Sequence, residues 1–490
     1  MPEPIGGFGM MTDLYQITMA YAYWKTGQAE REAVFHLHFR NHPFKGGFTI
    51  ACGLADAISY AGNLRFDSSG LDYLRGLVGN DNQPLFDPKF IDYLRDLQFS
   101  CDLDAIPEGT VVFPNEPLLR VTGPLLQAQL VETALLNLLN FQTLIATKAA
   151  RVNLAAGGDP VIEFGLRRAH GPDGALSASR AAYIGGCAAT SNVQAGQSFG
   201  IPVKGTHAHS WVMSFDDERD AFLAYAQAMP NNCILLVDTY DTLEGVRRAV
   251  EVGKWLRDQG HPLAGIRLDS GDLAWLSIEA RRILDAAGFP EVRIVASNDL
   301  DENIIQSLKE QGARIDIWGV GTKLVTAYDQ PALGGVYKLG AIRSPDGRWV
   351  HKLKLSEQAA KISTPGLHQV RRFRLGNEFI GDGIYDLETG APESFTIVDP
   401  LDPTRRKHPP REATHEDLLV PIFRGGRLVF QSPSLDSIRA RVKSQLDLFR
   451  TGVKRFVNPH EYPVGLELGL HELKTRLVLQ ARGETGAERG

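Results

Sequence analysis

Histidine, arginine and acidic residues follow several short apolar runs of the chain, at positions where their side chains could act on a substrate. The segment GTHAHS, residues 205–210, carries His207 and His209, whose imidazoles point the same way in an extended backbone. One interpretation is a metal-binding pair, which needs further His or Asp ligands from other strand ends. The other is a single nucleophilic or acid–base histidine, and a structural hydrogen-bonding role is a third possibility. The alternation of residues in Ala33–Phe39 predicts a half-buried strand with His36 and His38 on its open side. Because the same His-x-His spacing occurs there, the pattern by itself is not specific.

Two further segments combine arginine with carboxylates. FGLRRAHGPDG, residues 164–174, includes Arg167, and IRLDSGDL, residues 266–273, includes Arg267 and Asp269. The planar guanidinium matches a carboxylate or phosphate through two parallel hydrogen bonds. A cation beside carboxylates suits a substrate with phosphate and sugar hydroxyls, or Mg²⁺ bridging phosphates. Surface ion pairs among these residues are the alternative for either segment alone.

Two other strand-to-helix segments are weaker indicators. GVGTKL, residues 319–324, is a glycine-rich turn with Gly321 and Thr322, whose backbone N–H groups are suited to phosphate. LLVDTYDT, residues 235–242, is interpreted as a strand end with a capping threonine. The chain has no GxxxxGK[ST] motif, so any ATP that it uses does not bind a P-loop.

The spacing of the apolar runs predicts the fold that positions these residues. Helical patterns such as 243–259 and 278–288 separate several runs, which indicates βα units and a parallel sheet. Seven runs suit a closed or nearly closed barrel. They are Val161–Phe164, Ile201–Val203, Cys233–Val237, Ala264–Leu268, Val292–Ala296, Ile315–Val320 and Val336–Leu339.

Polar residues end almost every one of these runs. Each taken singly is explained as a helix cap or loop residue, but in β/α barrels the carboxyl ends of the strands build the active site. Together they predict an enzyme. The residues are Glu163 and Arg167, Thr206 and His209, Asp238, Arg267 and Asp269, Ser297 and Asn298, and Gly321 and Thr322.

Composition excludes several functional classes. The 52 basic and 58 acidic residues give a net charge of −6, which argues against nucleic acid or an anionic membrane as partner. Four cysteines lie far apart without a CxxC pair, which favours a reducing cytoplasm and no zinc ribbon or disulfide framework. The first 16 residues lack a signal-peptide pattern. Polar residues interrupt the apolar stretch 125–150, which therefore predicts a buried helix instead of a membrane span.

Across nearly its whole length the chain resembles nicotinate phosphoribosyltransferases. The resemblance implies a type II phosphoribosyltransferase: an irregular β/α barrel with a β-rich domain formed by N- and C-terminal segments. The expected parts are residues 1–125, 126–345 and 346–490, the last packing with the first. The resemblance also implies a homodimer with shared active sites. The segments that carry it are TDLYQITMAYAYW, PEGTVVFPNEPLLRVTGPL, ETALLNLLNFQTLIATKAAR, FGLRRAHGPDG, GTHAHSWV, RLDSGDL, GVGTKLVT, LGGVYKL and NPHEYPVGL.

The reaction implied by the resemblance condenses nicotinate with 5-phosphoribosyl 1-pyrophosphate. The products are nicotinate mononucleotide and pyrophosphate, in the first step of NAD salvage from nicotinate. ATP is the implied co-substrate, acting through a phosphohistidine, and Mg²⁺ accompanies the two polyphosphates without a protein metal site. The implied catalytic residues are His209 and Asp269. Those implied to bind substrate are Tyr15 (stacked on the pyridine from the partner subunit), Arg167, Thr206, Arg267, Gly321 and Thr322.

The choice between nicotinate and nicotinamide depends on the segment Thr190–Asn192. Nicotinamide-using relatives carry an acidic residue near this position, whereas here the sequence is Ala-Thr-Ser-Asn, with no carboxylate to repel nicotinate. Nicotinamide phosphoribosyltransfer is therefore the alternative. A metal-dependent barrel hydrolase using His207 and His209 is another. A catalytically silent scaffold is disfavoured because the implied site residues are intact.

Overall fold

A computed structural model describes residues 7–483, all but the side chain of Ala359. The chain forms two compact units, one made of Met1–Leu144 and Ala332–Gly490 and the other of Ile145–Pro331. The sequence predicted borders at 125/126 and 345/346 instead. The first observed border falls within one long helix, whose Thr143 binds the backbone of Cys52 in the first unit. Residues 1–6, part of the segment judged for a signal peptide, lie outside the described residues.

Helices and strands are numbered here in chain order. The helices are α1 Leu14–Lys25, α2 Leu54–Gly62, α3 Ser68–Arg75, α4 Pro88–Asp96, α5 Leu125–Leu130, α6 Glu132–Ala156, α7 Gly171–Ile184, α8 Val193–Phe199, α9 His209–Met213, α10 Glu218–Ala228, α11 Thr242–Asp258, α12 Leu273–Ala286, α13 Glu302–Glu310, α14 Thr322–Val325, α15 Leu435–Asp447 and α16 Leu468–Ala481. The strands are β1 Glu32–Phe39, β2 Thr49–Ile50, β3 Asp102–Ala105, β4 Val111–Val112, β5 Leu119–Pro124, β6 Val161–Glu163, β7 Ala189–Thr190, β8 Ile234–Leu236, β9 Gly265–Leu268, β10 Arg293–Ala296, β11 Ile317–Val320, β12 Gly335–Arg343, β13 Trp349–His351, β14 His368–Leu375, β15 Glu378–Asp386, β16 Ile397–Val398, β17 Arg406–Lys407, β18 Thr414–Asp417, β19 Val420–Arg424, β20 Arg427–Leu428 and β21 Val464–Glu467.

The second unit is the predicted irregular β/α barrel. Its six strands pair in parallel in the order β7-β6-β11-β10-β9-β8, and Val203 extends this wall through a parallel bridge to Thr190. Helices alternate with the strands, as the spacing predicted. The seventh run, Val336–Leu339, is an error of that prediction. It lies in β12, which pairs antiparallel with β1 in the first unit, because period-2 apolar runs look alike in parallel and antiparallel sheets.

One helical segment, Leu125–Ala156, is long and apolar enough to cross a membrane by length and composition alone. Of its most apolar 18-residue window, 67% is buried inside the protein, as in the core helix of a soluble protein. The segment also carries buried cations. Lys148 contacts Glu302 at 2.7 Å, and Arg151 contacts the other oxygen of the same carboxylate at 2.7 Å. These contacts join α6 to α13 within the second unit.

The first unit takes strands from both ends of the chain. One sheet has the order β13-β12-β1-β5-β3-β19-β20, and a second has the order β17-β16-β21-β15-β14-β18. Alternation in Ala33–Phe39 predicted a half-buried strand with His36 and His38 on its open side. That prediction is wrong for His36, which is 2% exposed because its ring stacks on His368 at a centroid distance of 4.0 Å.

Candidate active site

A cavity of about 320 Å³ opens at the carboxyl ends of the barrel strands in the second unit. Parallel strands bring their carboxyl ends to one face, where β/α barrels carry their active sites. Four of the residues predicted to form the site line this cavity together with His209. The lining residues are Phe164, Leu166, Arg167, Ser191, Gly205, Thr206, His207, Ala208, His209, Leu236, Arg267 and Asp269.

His209 is the first residue of α9, and its side chain remains 41% exposed. Its Nδ1 lies 3.2 Å from the Thr239 hydroxyl, and its Nε2 lies 3.6 Å from Asp269 Oδ2. The second distance is an electrostatic contact, too long for a good hydrogen bond. One ring nitrogen is thus oriented by a hydroxyl while the other faces a carboxylate. This arrangement suits a nucleophilic or acid–base imidazole.

Arg267 organises the centre of the cavity through three hydrogen bonds. Nη1 donates to Thr206 Oγ1 at 3.0 Å, Nη2 to Asp269 Oδ1 at 3.0 Å and Nε to Ser297 Oγ at 2.8 Å. The guanidinium also lies over the Phe164 ring, 5.7 Å from its centroid. Since Ser297 donates to the same Asp269 oxygen, that carboxylate is held from two sides with its other oxygen toward His209.

Asp238 supports this arrangement from the end of the neighbouring strand. Its Oδ2 accepts the Asp269 backbone N–H at 2.8 Å and the Ser270 hydroxyl at 2.6 Å. Its Oδ1 is buried and has no hydrogen-bond partner among the described residues. Asp238 was recognised in sequence only as a polar strand end, and Thr239 was missed as a contact of His209.

The capping threonine predicted for residues 235–242 is wrong. Asp241 caps α11, accepting the Glu244 backbone N–H at 2.8 Å. Aspartate and threonine are both good N-caps, so the DTYDT pattern gives several possible starts for the helix. Because Asp241 is the cap, the Thr239 side chain can contact His209.

Glu163 anchors the segment that was expected to influence substrate choice. It is 1% exposed, and its Oε2 accepts the hydroxyls of Ser179 at 2.9 Å and Thr190 at 2.6 Å. Asn192 also donates to Ser179, at 3.2 Å. Thr190 and Asn192 therefore point into this buried network, and Ser191 between them lines the cavity. The cavity lining carries one carboxylate, that of Asp269, within the described residues.

The other residues predicted to bind substrate differ in whether they line this cavity. Arg167 is exposed, in the turn that follows β6, and lines the cavity. Gly321 and Thr322 follow β11, which pairs with β6 at the same end of the sheet, but they are not part of the cavity lining. A Cβ on Gly321 would lie 3.0 Å from the Phe164 carbonyl oxygen. Tyr15 belongs to the first unit, in α1, and is 47% exposed.

The geometry of His207 does not support a metal-binding histidine pair. Its Nε2 accepts the Leu236 backbone N–H at 3.1 Å, and its Nδ1 lies 3.4 Å from the Ala208 carbonyl oxygen. Both ring nitrogens are thereby occupied. Burial lowers the pKa of His207 to about 4, so the ring is neutral near pH 7. Within residues 7–483, three potential metal ligands come together only in the first unit.

The fold and the cavity together define a class of protein. A β/α barrel of the type II phosphoribosyltransferase kind carries, at the carboxyl ends of its strands, two arginines, a carboxylate and an accessible imidazole. Models of three nicotinate phosphoribosyltransferase regions match the chain: the N-terminal domain over residues 10–140, the family region over 160–349 and the C-terminal domain over 369–474. The chain belongs to the nicotinate phosphoribosyltransferase family.

Individual relatives agree with this assignment. The nicotinate phosphoribosyltransferase of Bacillus subtilis (strain 168) is 46% identical over 479 residues, which cover 95% of this chain and 96% of that protein. The Homo sapiens protein of the same name is 36% identical over 532 residues, 96% of each chain. The crystal structure of human nicotinic acid phosphoribosyltransferase superimposes with a TM-score of 0.83 at 33% identity, covering 95% of this chain and 99% of that one.

Proposed function

We propose that this protein condenses nicotinate with 5-phosphoribosyl 1-pyrophosphate in an ATP-coupled reaction through a phosphohistidine at His209. Family membership supports the pyridine and phosphoribosyl substrates, since the matched relatives carry that name. The observation that carries the ATP-coupled step is the accessible imidazole of His209, held between Thr239 and Asp269 in the cavity. The product nicotinate mononucleotide would enter NAD salvage.

In the transfer step the pyridine nitrogen attacks ribose C1 with its lone pair. The bond from C1 to the pyrophosphate oxygen breaks, and pyrophosphate leaves with that electron pair. Positive charge develops on the sugar, and the Asp269 carboxylate is suited to stabilise it. Arg167 and Arg267 are suited to the phosphate groups of the donor. Mg²⁺ entering with the polyphosphates would offset their charge, with Asp269 as the available carboxylate of the cavity.

In the coupling step a nitrogen of His209 attacks the γ-phosphorus of ATP. The N–P bond forms, the bond to the bridging oxygen breaks, and ADP leaves. Water later cleaves the N–P bond, which restores the imidazole and releases inorganic phosphate. Phosphorylation changes the charge beside Asp269 and Arg267, so the two forms of the enzyme would bind the donor differently. We expect the phosphorylated form to bind it more tightly and hydrolysis to favour product.

Nicotinate is favoured over nicotinamide by the charges around Ser191. The carboxylate that binds this segment, that of Glu163, is buried and accepts two hydroxyl hydrogen bonds, so it is not presented to a substrate. The nicotinate carboxylate would meet a hydroxyl at Ser191 and the cation of Arg167. Tyr15 of the partner subunit would stack on the pyridine in a homodimer, as its exposure on α1 permits.

The test is pyrophosphate release from 5-phosphoribosyl 1-pyrophosphate with nicotinate or nicotinamide, with and without γ-labelled ATP. We expect nicotinate to be preferred, ATP to stimulate release, and acid-labile label to appear on the protein. His209→Ala should lose the label and at least about 100-fold of the ATP-stimulated rate. His261→Ala is the matched control, because His261 precedes β9 at the opposite end of the barrel. Label retained by His209→Ala would refute the phosphohistidine.

A further inference from the structure

The parallel sheet of the second unit has a break beside the active site. Among the described residues, β8 pairs with β9 alone, while the segment that contains Val203 pairs with Thr190 at the far end of the sheet order. Backbone N–H groups alternate between the two edges of a strand. The Val237 N–H donates to Arg267 on the β9 side at 3.2 Å, so the N–H of Leu236 points to the opposite, unpaired edge.

The side chain of His207 occupies that edge. Its Nε2 accepts the Leu236 N–H at 3.1 Å, and Leu236 is only 1% exposed, so water does not replace this partner. The ring is held by its surroundings. Tyr225 of α10 meets it edge-on at a centroid distance of 4.7 Å, and Ala208 O accepts from Nδ1 at 3.4 Å. The neutral Nδ1–H tautomer is the one that leaves Nε2 as an acceptor.

We propose that His207 is a positioning residue, whose imidazole replaces the missing backbone hydrogen bond between residues 205–209 and β8 and thereby sets His209 against Thr239. His209 is two residues beyond His207, and Thr239 is three residues beyond Leu236. The hydrogen bond from Leu236 to His207 therefore holds together, at their bases, the two segments from which His209 and Thr239 project. The effect on catalysis rests on the proposed function of His209, whereas the hydrogen bond itself does not.

Protonation of His207 would remove this acceptor. The ionisable groups that face the ring are Arg267 and His209, and both oppose a positive charge on it. Tyr225 and Phe222 pack against it as uncharged rings. Burial, and then Arg267 and His209, lower the pKa of His207 to about 4. The hydrogen bond between the two segments should thus be intact near pH 7.

The matched pair His207→Gln and His207→Asn tests the proposal. The Gln carbonyl oxygen reaches the position of Nε2, whereas that of Asn reaches only the position of Nδ1. We expect kcat for pyrophosphate release to fall about tenfold in His207→Asn and less than about threefold in His207→Gln, with KM for nicotinate within about twofold in both, because misplacement affects the reaction more than binding. Equal kcat values in the two variants would overturn the proposal.

Two further measurements test the role of His207 without relying on the catalytic activity of the variants. Hydrogen exchange of the Leu236 amide should be about tenfold faster in His207→Asn than in His207→Gln and the unsubstituted protein, since one buried hydrogen bond is lost. Nitrogen chemical shifts of the unsubstituted protein at pH 7 should show His207 protonated on Nδ1 alone. A proton on Nε2 would refute the proposal even if both variants failed to fold. Absence of pyrophosphate release by the unsubstituted protein would instead refute the proposed function.

Discussion

Two His-x-His segments, His36–His38 in the first unit and His207–His209 in the second, share their spacing and part of their structure. In each, Nε2 of the first histidine accepts a backbone N–H from a distant residue: that of His368 for His36, at 3.0 Å, and that of Leu236 for His207, at 3.1 Å. Both first histidines are buried, and burial lowers the pKa of each. What the two segments share is thus a buried first histidine that accepts a backbone hydrogen bond.

The second histidines differ in what surrounds them. His38 lines a cavity of about 230 Å³ that has three lysines and one arginine but no carboxylate in its described lining. Burial and then the neighbouring cations lower the pKa of His38 to about 3. His209 is partly exposed and faces Asp269. Of the two segments, only the second therefore presents its second histidine next to a carboxylate, and we propose that this neighbour makes His209 the reactive one.

Removing the carboxylate should make the surroundings of His209 more like those of His38. We expect Asp269→Asn to lower the rate of pyrophosphate release about 100-fold, because the negative charge opposite the developing positive charge is lost. The same assay with Asp285→Asn is the control, since Asp285 forms an exposed ion pair with Arg281 in the same unit. A rate in Asp269→Asn close to that of the control would contradict the distinction drawn between the two histidines.

Removing the hydrogen bond that the first histidine accepts should lower the stability of the protein. His36→Ala leaves the His368 N–H buried without an acceptor, and we expect the free energy of unfolding to fall by about 2 kcal/mol. His36→Gln keeps an oxygen near the position of Nε2 and should recover more than half of that loss. Chemical unfolding of the full chain measures both. If the Gln variant is as unstable as the Ala variant, the accepted hydrogen bond is not what His36 contributes.

Lowering the pH should reduce the contribution of both His36 and His207 to the stability of the fold. Each has a folded-state pKa below 6.5, so the unfolded state binds more protons as the pH falls below 6.5. Their contribution to stability is complete above pH 6.5 and declines towards pH 4 for His207. From pH 6.5 to 5.5, His36→Gln and His207→Gln should each gain up to about 1 kcal/mol relative to the unsubstituted protein. Thermal unfolding across this range measures the gain, and a pH-independent difference would contradict it.

Much of the site could be predicted from local sequence. Short apolar runs separated by helices specify parallel strands, and parallel strands bring their carboxyl ends together, so Arg167, Thr206, His209, Arg267 and Asp269 were predicted to meet. They line one cavity. The prediction that Val336–Leu339 belongs to the barrel was wrong, because an apolar run does not indicate in which sheet the strand will pair.

Pairings between distant residues could not be predicted. Nothing in GTHAHS shows that His207 accepts a hydrogen bond from Leu236, or that Thr239 meets His209, since 29 and 30 residues separate these partners. The same applies to His36, whose alternating pattern predicted an exposed face that His368 covers, 332 residues further along.

The amino-acid sequence by itself determined the kinds of chemistry available and the end of the barrel at which they gather. The parallel polarity of the strands follows from the helices that alternate with them along the chain, whereas the order in which they pair does not. The tertiary structure alone decided which imidazole is buried as a hydrogen-bond acceptor and which remains accessible beside a carboxylate. Burial and electrostatic interaction depend on groups that approach from other elements, and those groups set the reactivity of a side chain.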